Sequence, residues 1–255
     1  GDGMARRIKG RKIFYYEEEE VFDKKKVFYL LVLLLLTGIL LSTSTYAWFT
    51  TNRMVSVEMI DVKVQTEGSL EISADAVNFK AGVTADEIIG AHNGNYPASV
   101  NQLPAYIEPV STAGNLYNRG FMEIYLGVIT SNSVGDYIVT SEKSQESESN
   151  GEFSDGKFVA FDVFLRTTAD KDLYLTNESQ VKYNGNANSG VENAMRVAFV
   201  VEGHTSSDQH LWLLEAGVTK VRVYLWLEGQ DVDCENGASV GNIQFTLQFS
   251  TNPGE

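Results

Sequence analysis

The pattern of apolar and polar residues changes once along the chain and divides it into two parts. No charged residue occurs between positions 27 and 52, and residues 27–41 are almost continuously apolar. Downstream, apolar and polar residues alternate with a period close to two, as in residues 54–64, which is typical of strands with one buried face. The pattern therefore predicts an N-terminal apolar helix followed by a β-rich body.

The body consists mainly of predicted strands. In residues 54–64 the alternation slips by one position at Ile60, which indicates a β-bulge. Strands are also expected at 70–72, 121–130, 137–140, 158–166, 173–176, 195–201, 221–227 and 243–249. Eight or nine strands without regular helices between them predict an all-β fold, a jelly-roll-like antiparallel β-sandwich, over residues 48–255.

Four segments interrupt the strand pattern. Thr84, followed three residues later by Glu87, fits a capping box and predicts a helix of at most two turns within residues 84–92. Residues 211–216 are a second candidate for a short helix. Two further segments predict loops: residues 141–152, which are polar, and residues 94–114, which contain three prolines.

The apolar segment has the layout of a secretory signal. Three lysines at 24–26 precede it and a small, hydroxyl-rich run at 42–47 follows it, which predicts cleavage by a signal peptidase between Ala47 and Trp48. An uncleaved membrane anchor over residues 27–49 is the main alternative, and a buried core helix is another. We therefore expect a cytoplasmic tail at 1–26, a signal or transmembrane helix at 27–47 and an extracellular domain at 48–255.

The charge distribution agrees with this division. The chain has a net charge of -14, but residues 1–47 contain eight Lys and Arg against six Asp and Glu. The acidic charge therefore lies in the body, which argues against nucleic-acid binding because phosphates require a basic surface. Cys234 is the only cysteine, so no disulfide forms within one copy of the chain.

Catalytic motifs are absent from the sequence. It contains no His-Glu-x-x-His, no Gly-x-Ser-x-Gly and no glycine-rich phosphate loop, so we expect a protein that is not an enzyme and needs no cofactor. Asp231, Asp233 and Glu235 alternate in one loop, as oxygen ligands of calcium do. The alternatives at this loop are a polar connection between strands and a calcium-dependent hydrolase that uses the same three residues.

Two short segments carry a resemblance to a known family. The sequence STYAWFT at 44–50 and the sequence GSLEIS at 68–73 resemble the TasA/camelysin-type secreted proteins of Gram-positive bacteria. Residues 158–175 and 221–234 resemble surface proteins of the same bacteria more loosely. The resemblance implies a jelly-roll subunit of an extracellular matrix fibre, released by a dedicated signal peptidase and assembled by donation of an N-terminal strand.

Strand donation also has a physical basis in the residues themselves. A segment released by cleavage brings unpaired backbone groups that can extend the sheet of another copy, with alternate side chains filling pockets. Trp48, Phe49, Val55 and Val57 are the expected donor side chains. In the alternative, residues 55–64 pair within their own domain.

The sequence thus predicts a non-enzymatic, secreted or surface-exposed structural protein that self-associates into biofilm fibres. It would be exported across the cytoplasmic membrane and held there by residues 27–49 before cleavage. A membrane-anchored binding or adhesin module on the cell surface is the alternative function.

Overall fold

The structure is a computed structural model. It describes residues 28–34, 55–65, 69–91, 101–117, 121–131, 137–144, 157–185, 191–201, 204–206, 210–235 and 241–253. The chain divides into two compact units, Gly1–Leu41 and Ser42–Glu255.

The described part of the first unit is helix α1, residues 28–34, whose side chains are exposed. We find no helix in the described part of the chain with the length and hydrophobicity that a membrane span requires. The rest of the predicted signal or transmembrane helix at 27–47 lies outside the described residues, and so do Ala47 and Trp48. Export and cleavage therefore stay predictions.

The described part of the second unit is mostly β-sheet. Its short helices are α2 (Ala85–Ile89) and two 3-10 helices, Val191–Ala194 and Val232–Glu235. Its strands are β1 (Val55–Val64), β2 (Glu71–Ser73), β3 (Gly82–Thr84), β4 (Tyr106–Ile107), β5 (Pro109–Ser111), β6 (Leu116–Tyr117), β7 (Phe121–Met122), β8 (Tyr125–Ser131), β9 (Tyr137–Lys143), β10 (Val159–Thr167), β11 (Lys171–Leu175), β12 (Gln180–Gly185), β13 (Met195–Val201), β14 (His204–Ser206), β15 (His210–Leu214), β16 (Gly217–Glu228) and β17 (Gly241–Ser250).

The strands form two large sheets and one small one. Sheet A has the order β15-β11-β17-β1-β3, with β12 also paired to β17 and β4 also paired to β1. Sheet B has the order β14-β13-β16-β5-β8-β9, with β10 paired to both β16 and β2. Strands β6 and β7 form a separate two-stranded sheet.

One hydrophobic core joins the inner faces of the two large sheets. Sheet A contributes alternate residues of β1 and β17, such as Val62 and Phe245, and sheet B contributes alternate residues of β10 and β16, such as Phe161 and Val223. These four side chains are at most 2% exposed. Because side chains alternate across a strand, two facing sheets that each donate one face produce a sandwich-like arrangement.

Sheet B is also buried on its outer face. Phe158, Ala198 and Tyr224 belong to a second apolar cluster, which includes Met122 of β7. The backbone N–H of Met122 donates a hydrogen bond to the hydroxyl of Tyr224 at 3.1 Å. Burial on both faces explains why the sequence of β10 is almost continuously apolar instead of alternating.

The all-β prediction is confirmed, but the expectation of a purely antiparallel sandwich is wrong. Strand β1 runs parallel to β17, and β5 runs parallel to β16. Hydrophobic alternation shows which residues face the core, and it contains no information about the direction of a neighbouring strand. The two sheets are therefore mixed.

Several local predictions are confirmed and others are corrected. The bulge in β1 is present as a register shift between Val57 and Met59. Helix α2 has the expected capping box: the Glu87 carboxylate accepts a bond from the Thr84 N–H at 3.0 Å. The predicted helix at 211–216 is wrong, because this segment pairs with β11 and forms β15.

Two predicted loops and one predicted strand also differ from the structure. The segment at 94–114 contains β4 and β5, whose pairing with sheets A and B outweighs the turn-forming effect of its prolines. The polar segment at 141–152 begins as a strand, since β9 continues to Lys143. The single strand expected at 121–130 is divided into β7 and β8.

Candidate functional site

A surface hollow of about 740 Å³ lies beside β3 and helix α2. The segment between β2 and β3 forms one wall, α2 forms a second, and Arg166 of β10 reaches into it. Its ionisable and aromatic lining residues include Asp75, Phe79, Lys80, Glu87 and Arg166. The sequence predicts no site at these residues and gives only Glu87 a role, in the capping box, because three separate segments of the chain meet here only in the fold.

Asp75 holds the loop between β2 and β3. Its carboxylate accepts hydrogen bonds from the Ser73 hydroxyl at 2.7 Å, from the Val77 N–H at 2.9 Å and from the Asn78 N–H at 2.8 Å. The pKa of Asp75 is held well below its usual range, chiefly by the Asn78 N–H, and these bonds outweigh the burial that would raise it. The loop includes Ala76 in the left-handed region, at φ 58°.

The other charges of the hollow are paired with one another. Arg166 donates to the Glu71 carboxylate from Nε at 2.8 Å and from Nη2 at 2.5 Å, and its guanidinium lies 4.0 Å from the centre of the Phe79 ring. Lys80 forms an ion pair with Glu87 and lowers the pKa of that carboxyl. A charged ligand would therefore have to replace one partner of an existing ion pair. Its charge and shape would have to match those of the side chain that it replaces.

The structure describes two of the four predicted strand-donating residues. Val55 is completely buried in the core and Val57 is half-buried, both within β1. Val55 lies opposite Ile107 of β4, and Val57 lies beside Ile243 of β17. Residues 55–64 therefore pair within their own domain in a single copy of the chain. Trp48 and Phe49 lie outside the described residues.

The bulge sets off the beginning of β1 from the rest of the strand. Before it, Ser56 and Val57 pair with Asn242 and Ile243; after it, six consecutive residues from Met59 to Val64 pair with β17 in a new register. An unpaired extra residue disrupts the ladder locally, so the two parts of a bulged strand are less strongly coupled than those of a regular one. The bulge thus divides β1 into a three-residue start, Val55 to Val57, and a six-residue remainder, Met59 to Val64.

The three predicted calcium ligands are found in and beside a 3-10 helix. The Asp231 carboxylate bonds to Nη2 of Arg196 at 2.5 Å and accepts the Asp233 N–H at 3.0 Å. The Asp233 carboxylate accepts a bond from the Asn193 side-chain amide at 3.1 Å. The side chain of Glu235 is not described, and Cys234 is buried.

These contacts leave the calcium hypothesis without an assembled ligand set. In the part of the chain that the structure describes, no three His, Cys, Asp or Glu side chains are grouped as a metal site would require. A calcium ion at this loop would have to replace Arg196 at Asp231. Calcium binding, and the hydrolase built on it, stay predictions.

Strand β15 forms an edge of sheet A. Within the described residues it pairs with β11 alone. Its sequence, HLWLL, contains no formally charged residue and no proline, and the Leu213 side chain is 61% exposed. Its pairing with β11 shifts register between Leu173 and Tyr174, so the strand carries a bulge at Leu211, one of the features with which natural sheets protect such edges.

Comparison of the chain with protein-family models, curated protein sequences and solved structures gives no match.

Proposed function

We propose that the protein is a non-enzymatic structural subunit of an extracellular matrix fibre, with a jelly-roll-like sandwich as its building block. Residues 27–47 direct export, and a signal peptidase cleaves between Ala47 and Trp48. The new N-terminus, residues 48–57, then pairs with the sheet of the next copy. The resemblance of residues 44–50 and 68–73 to the TasA/camelysin-type proteins supports this proposal.

The observation that carries the proposal is the bulge within β1. In the proposed exchange, Val55, Ser56 and Val57 leave sheet A while residues 59–64, which follow the bulge, keep their pairing with β17. The vacated position, between β4 and the start of β17, has the right shape for the same three residues from another copy. Exchange of an identical element costs little, because each contact that is lost is formed again between copies.

Trp48 and Phe49 supply the net gain of the exchange. Released by cleavage, they precede the exchanged residues and can extend the pairing onto the neighbouring copy. Burial of one large apolar side chain contributes about 1.5–3 kcal/mol, so Trp48 and Phe49 together add about 3–6 kcal/mol to the contact between copies. The mechanism requires no reaction centre, which agrees with the absence of catalytic motifs in the sequence.

The proposal is tested by electron microscopy of the full chain, expressed with its own N-terminal segment in a Gram-positive host. The wild type should form filaments, and the variant W48D/F49D should not, because two carboxylates replace the apolar side chains that hold the next copy. The matched control T50D/T51D adds the same charge to the same segment and should still assemble. Filaments of equal number and length from W48D/F49D would refute donation.

A membrane-anchored binding module is the second candidate, and the hollow beside α2 favours it. The ion pairs and the Phe79 ring there would recognise a ligand while residues 27–49 remain in the membrane. Mass spectrometry of the mature N-terminus separates the two functions. A chain that begins at Trp48 supports the fibre subunit, and a chain that retains residues 27–49 supports the anchored module.

A further inference from the structure

The ion pair between Arg166 and Glu71 at the hollow leaves hydrogen-bonding groups unused. Arg166 donates from Nε and from Nη2 to a single oxygen, Oε2 of Glu71, and a guanidinium carries more N–H groups than these two bonds use. Within the residues that the structure describes, neither Nη1 of Arg166 nor Oε1 of Glu71 makes a hydrogen bond. The pair therefore presents a donor and an acceptor close together.

Phe79 and Glu71 hold the Arg166 guanidinium in place. Its centre lies 4.0 Å from the centre of the Phe79 ring, while the side chains of Arg166 and Glu71 remain 43% and 42% exposed. The ring contact restrains the plane of the guanidinium, and the two bonds to Glu71 restrain its rotation within that plane. Donors that are fixed before binding lose little conformational entropy when a ligand arrives.

A second ion pair in the lining has the same character. Glu87 is anchored through Oε2, which accepts bonds from the Thr84 N–H at 3.0 Å and from the Thr84 hydroxyl at 3.3 Å. Lys80 donates to Oε1 of the same carboxylate, and its ammonium has N–H groups beyond the one used there. The lining contains two acidic side chains, Asp75 and Glu87, and two basic ones, Lys80 and Arg166, so its formal charge is zero.

We propose that the hollow binds an uncharged carbohydrate through neighbouring hydroxyl groups. A hydroxyl both donates and accepts hydrogen bonds, so one hydroxyl can accept from Nη1 of Arg166 while the next donates to Oε1 of Glu71. Such a ligand leaves both ion pairs intact, whereas a charged ligand would have to replace one of their partners. A trans peptide group points its N–H and C=O in opposite directions, so it matches an adjacent donor and acceptor less well.

The rest of the lining suits the carbon skeleton of a sugar. Ala74, Val77 and Phe79 add apolar surface to the hollow, and Val77 is 69% exposed. The C–H groups of a sugar ring can pack on this surface and remove it from water. The volume of the hollow, about 740 Å³, lies within the range of about 300–1,000 Å³ that is usual for small-molecule sites.

This inference does not depend on the proposed fibre exchange. None of the residues that line the hollow belongs to β1, where the exchange takes place. The inference gives a ligand class to the second candidate function, the anchored binding module, and in that role it rests on that proposal.

The test is isothermal titration calorimetry of the full 255-residue chain in a polyoxyethylene detergent, which carries no sugar. The probes are the linear hexamers of glucose, mannose, galactose and N-acetylglucosamine, each with its monosaccharide, and the hexamer of galacturonic acid as the charged comparison. A hexamer that binds more tightly than its monosaccharide identifies a segment of a polymer as the ligand. Equal affinity identifies a single sugar, and either result supports the site.

We expect at least one neutral hexamer to bind the wild type, and R166K to bind it at least about tenfold more weakly, because lysine keeps the charge and loses the planar fork. The matched control R196K makes the same change in the Arg196–Asp231 pair, outside the hollow, and should bind as the wild type does. V77W replaces R166K should circular dichroism show a loss of sheet in R166K. It narrows the hollow from an exposed position and should weaken binding in the same direction.

Three results would overturn the inference. The first is that no neutral sugar binds, and the second is that the galacturonic acid hexamer binds more tightly than every neutral one. The third is that R166K, or V77W in its place, binds as the wild type does, or that R196K weakens binding equally.

W48D/F49D separates this inference from the proposed fibre. It should bind the sugar with wild-type affinity, whether or not it forms filaments. A wild type that forms filaments and binds no sugar contradicts the inference alone, and a wild type that binds sugar and forms no filaments contradicts the fibre alone. Anchoring is decided separately, by the mass of the mature N-terminus.

Discussion

Asp75 shows how a single side chain shapes the hollow. Its carboxylate is the acceptor for three donors within residues 73–78, and a further bond runs from the Asn78 side-chain amide to Oδ2 at 2.6 Å. A charged acceptor makes each of these bonds stronger than a neutral one would. The loop that supports Phe79 and Lys80 therefore depends on the ionised form of Asp75.

The variant D75N should unfold more easily than the wild type at pH 7, by about 1–2 kcal/mol, because a neutral amide replaces the charged acceptor. The carboxylate stabilises the fold fully above its unfolded-state pKa, near 3.8. Because the pKa of Asp75 is lower in the folded state, this stabilisation is lost as the pH falls through the folded-state pKa. Urea unfolding from pH 7 to about 3 should show the gap between the two proteins narrowing below about pH 4.

The matched control is D172N on β11, which removes a carboxylate outside the hollow and leaves the Asp75 loop unchanged. A free energy of unfolding for D75N equal to that of the wild type at pH 7 would mean that the carboxylate does not hold the loop.

At the scale of elements, β1 combines two roles in one strand. Residues 59–64 lie in sheet A between β17 and β3, and the buried Ile60, Val62 and Val64 belong to the core. The first three residues pair with β4 and with the start of β17, on the other side of the bulge. We expect the strand to open from its N-terminal end.

Amide hydrogen exchange measures this opening directly. The Val57 N–H bonds to the Ala105 carbonyl at 3.0 Å, and the Val64 N–H bonds to the Ala81 carbonyl at 2.8 Å. Exchange at Val57 should be at least about tenfold faster, because partial opening exposes it without disturbing the core. Equal protection of the two amides would indicate that β1 opens as one unit. Donation of its first residues to another copy would then require unfolding of the sheet.

Sequence patterns predicted the elements whose own residues determine them. The buried positions of β1, the bulge and the capping box at Thr84 follow from local periodicity and side-chain chemistry. The helix expected at 211–216 is replaced by strand β15. The sequence HLWLL has no alternation, and its strand form depends on pairing with β11. Parallel pairing of β1 with β17 joins residues about 185 positions apart, and nothing local encodes it.

The hollow could not be predicted for a related reason. Arg166 and Glu71 lie far apart in the sequence, and each is an ordinary charged residue of a strand. Asp231, in contrast, is a predicted calcium ligand because it lies in an acidic loop. In the fold, its carboxylate forms an ion pair with Arg196 of β13. Spacing along one segment identifies candidate ligands, but the partners that neutralise them come from other strands.

At the scale of the whole molecule, the proposed N-terminal exchange involves one part of sheet A, where β1 meets β4 and β17. The proposed contact is made by backbone and apolar side chains, which suits an acidic chain whose copies repel one another at longer range.

Exchange of the start of β1 between copies is the central claim, and a cross-link tests it most directly. Ser56 and Asn242 are neighbours across β1 and β17, so S56C and N242C, in a C234S background, should form a disulfide. The full chain is prepared in ordinary and ¹⁵N-labelled form, mixed, assembled and oxidised, and the linked peptides are identified by mass spectrometry. The account predicts links between light and heavy copies in the assembled material; links confined to one isotope would contradict it.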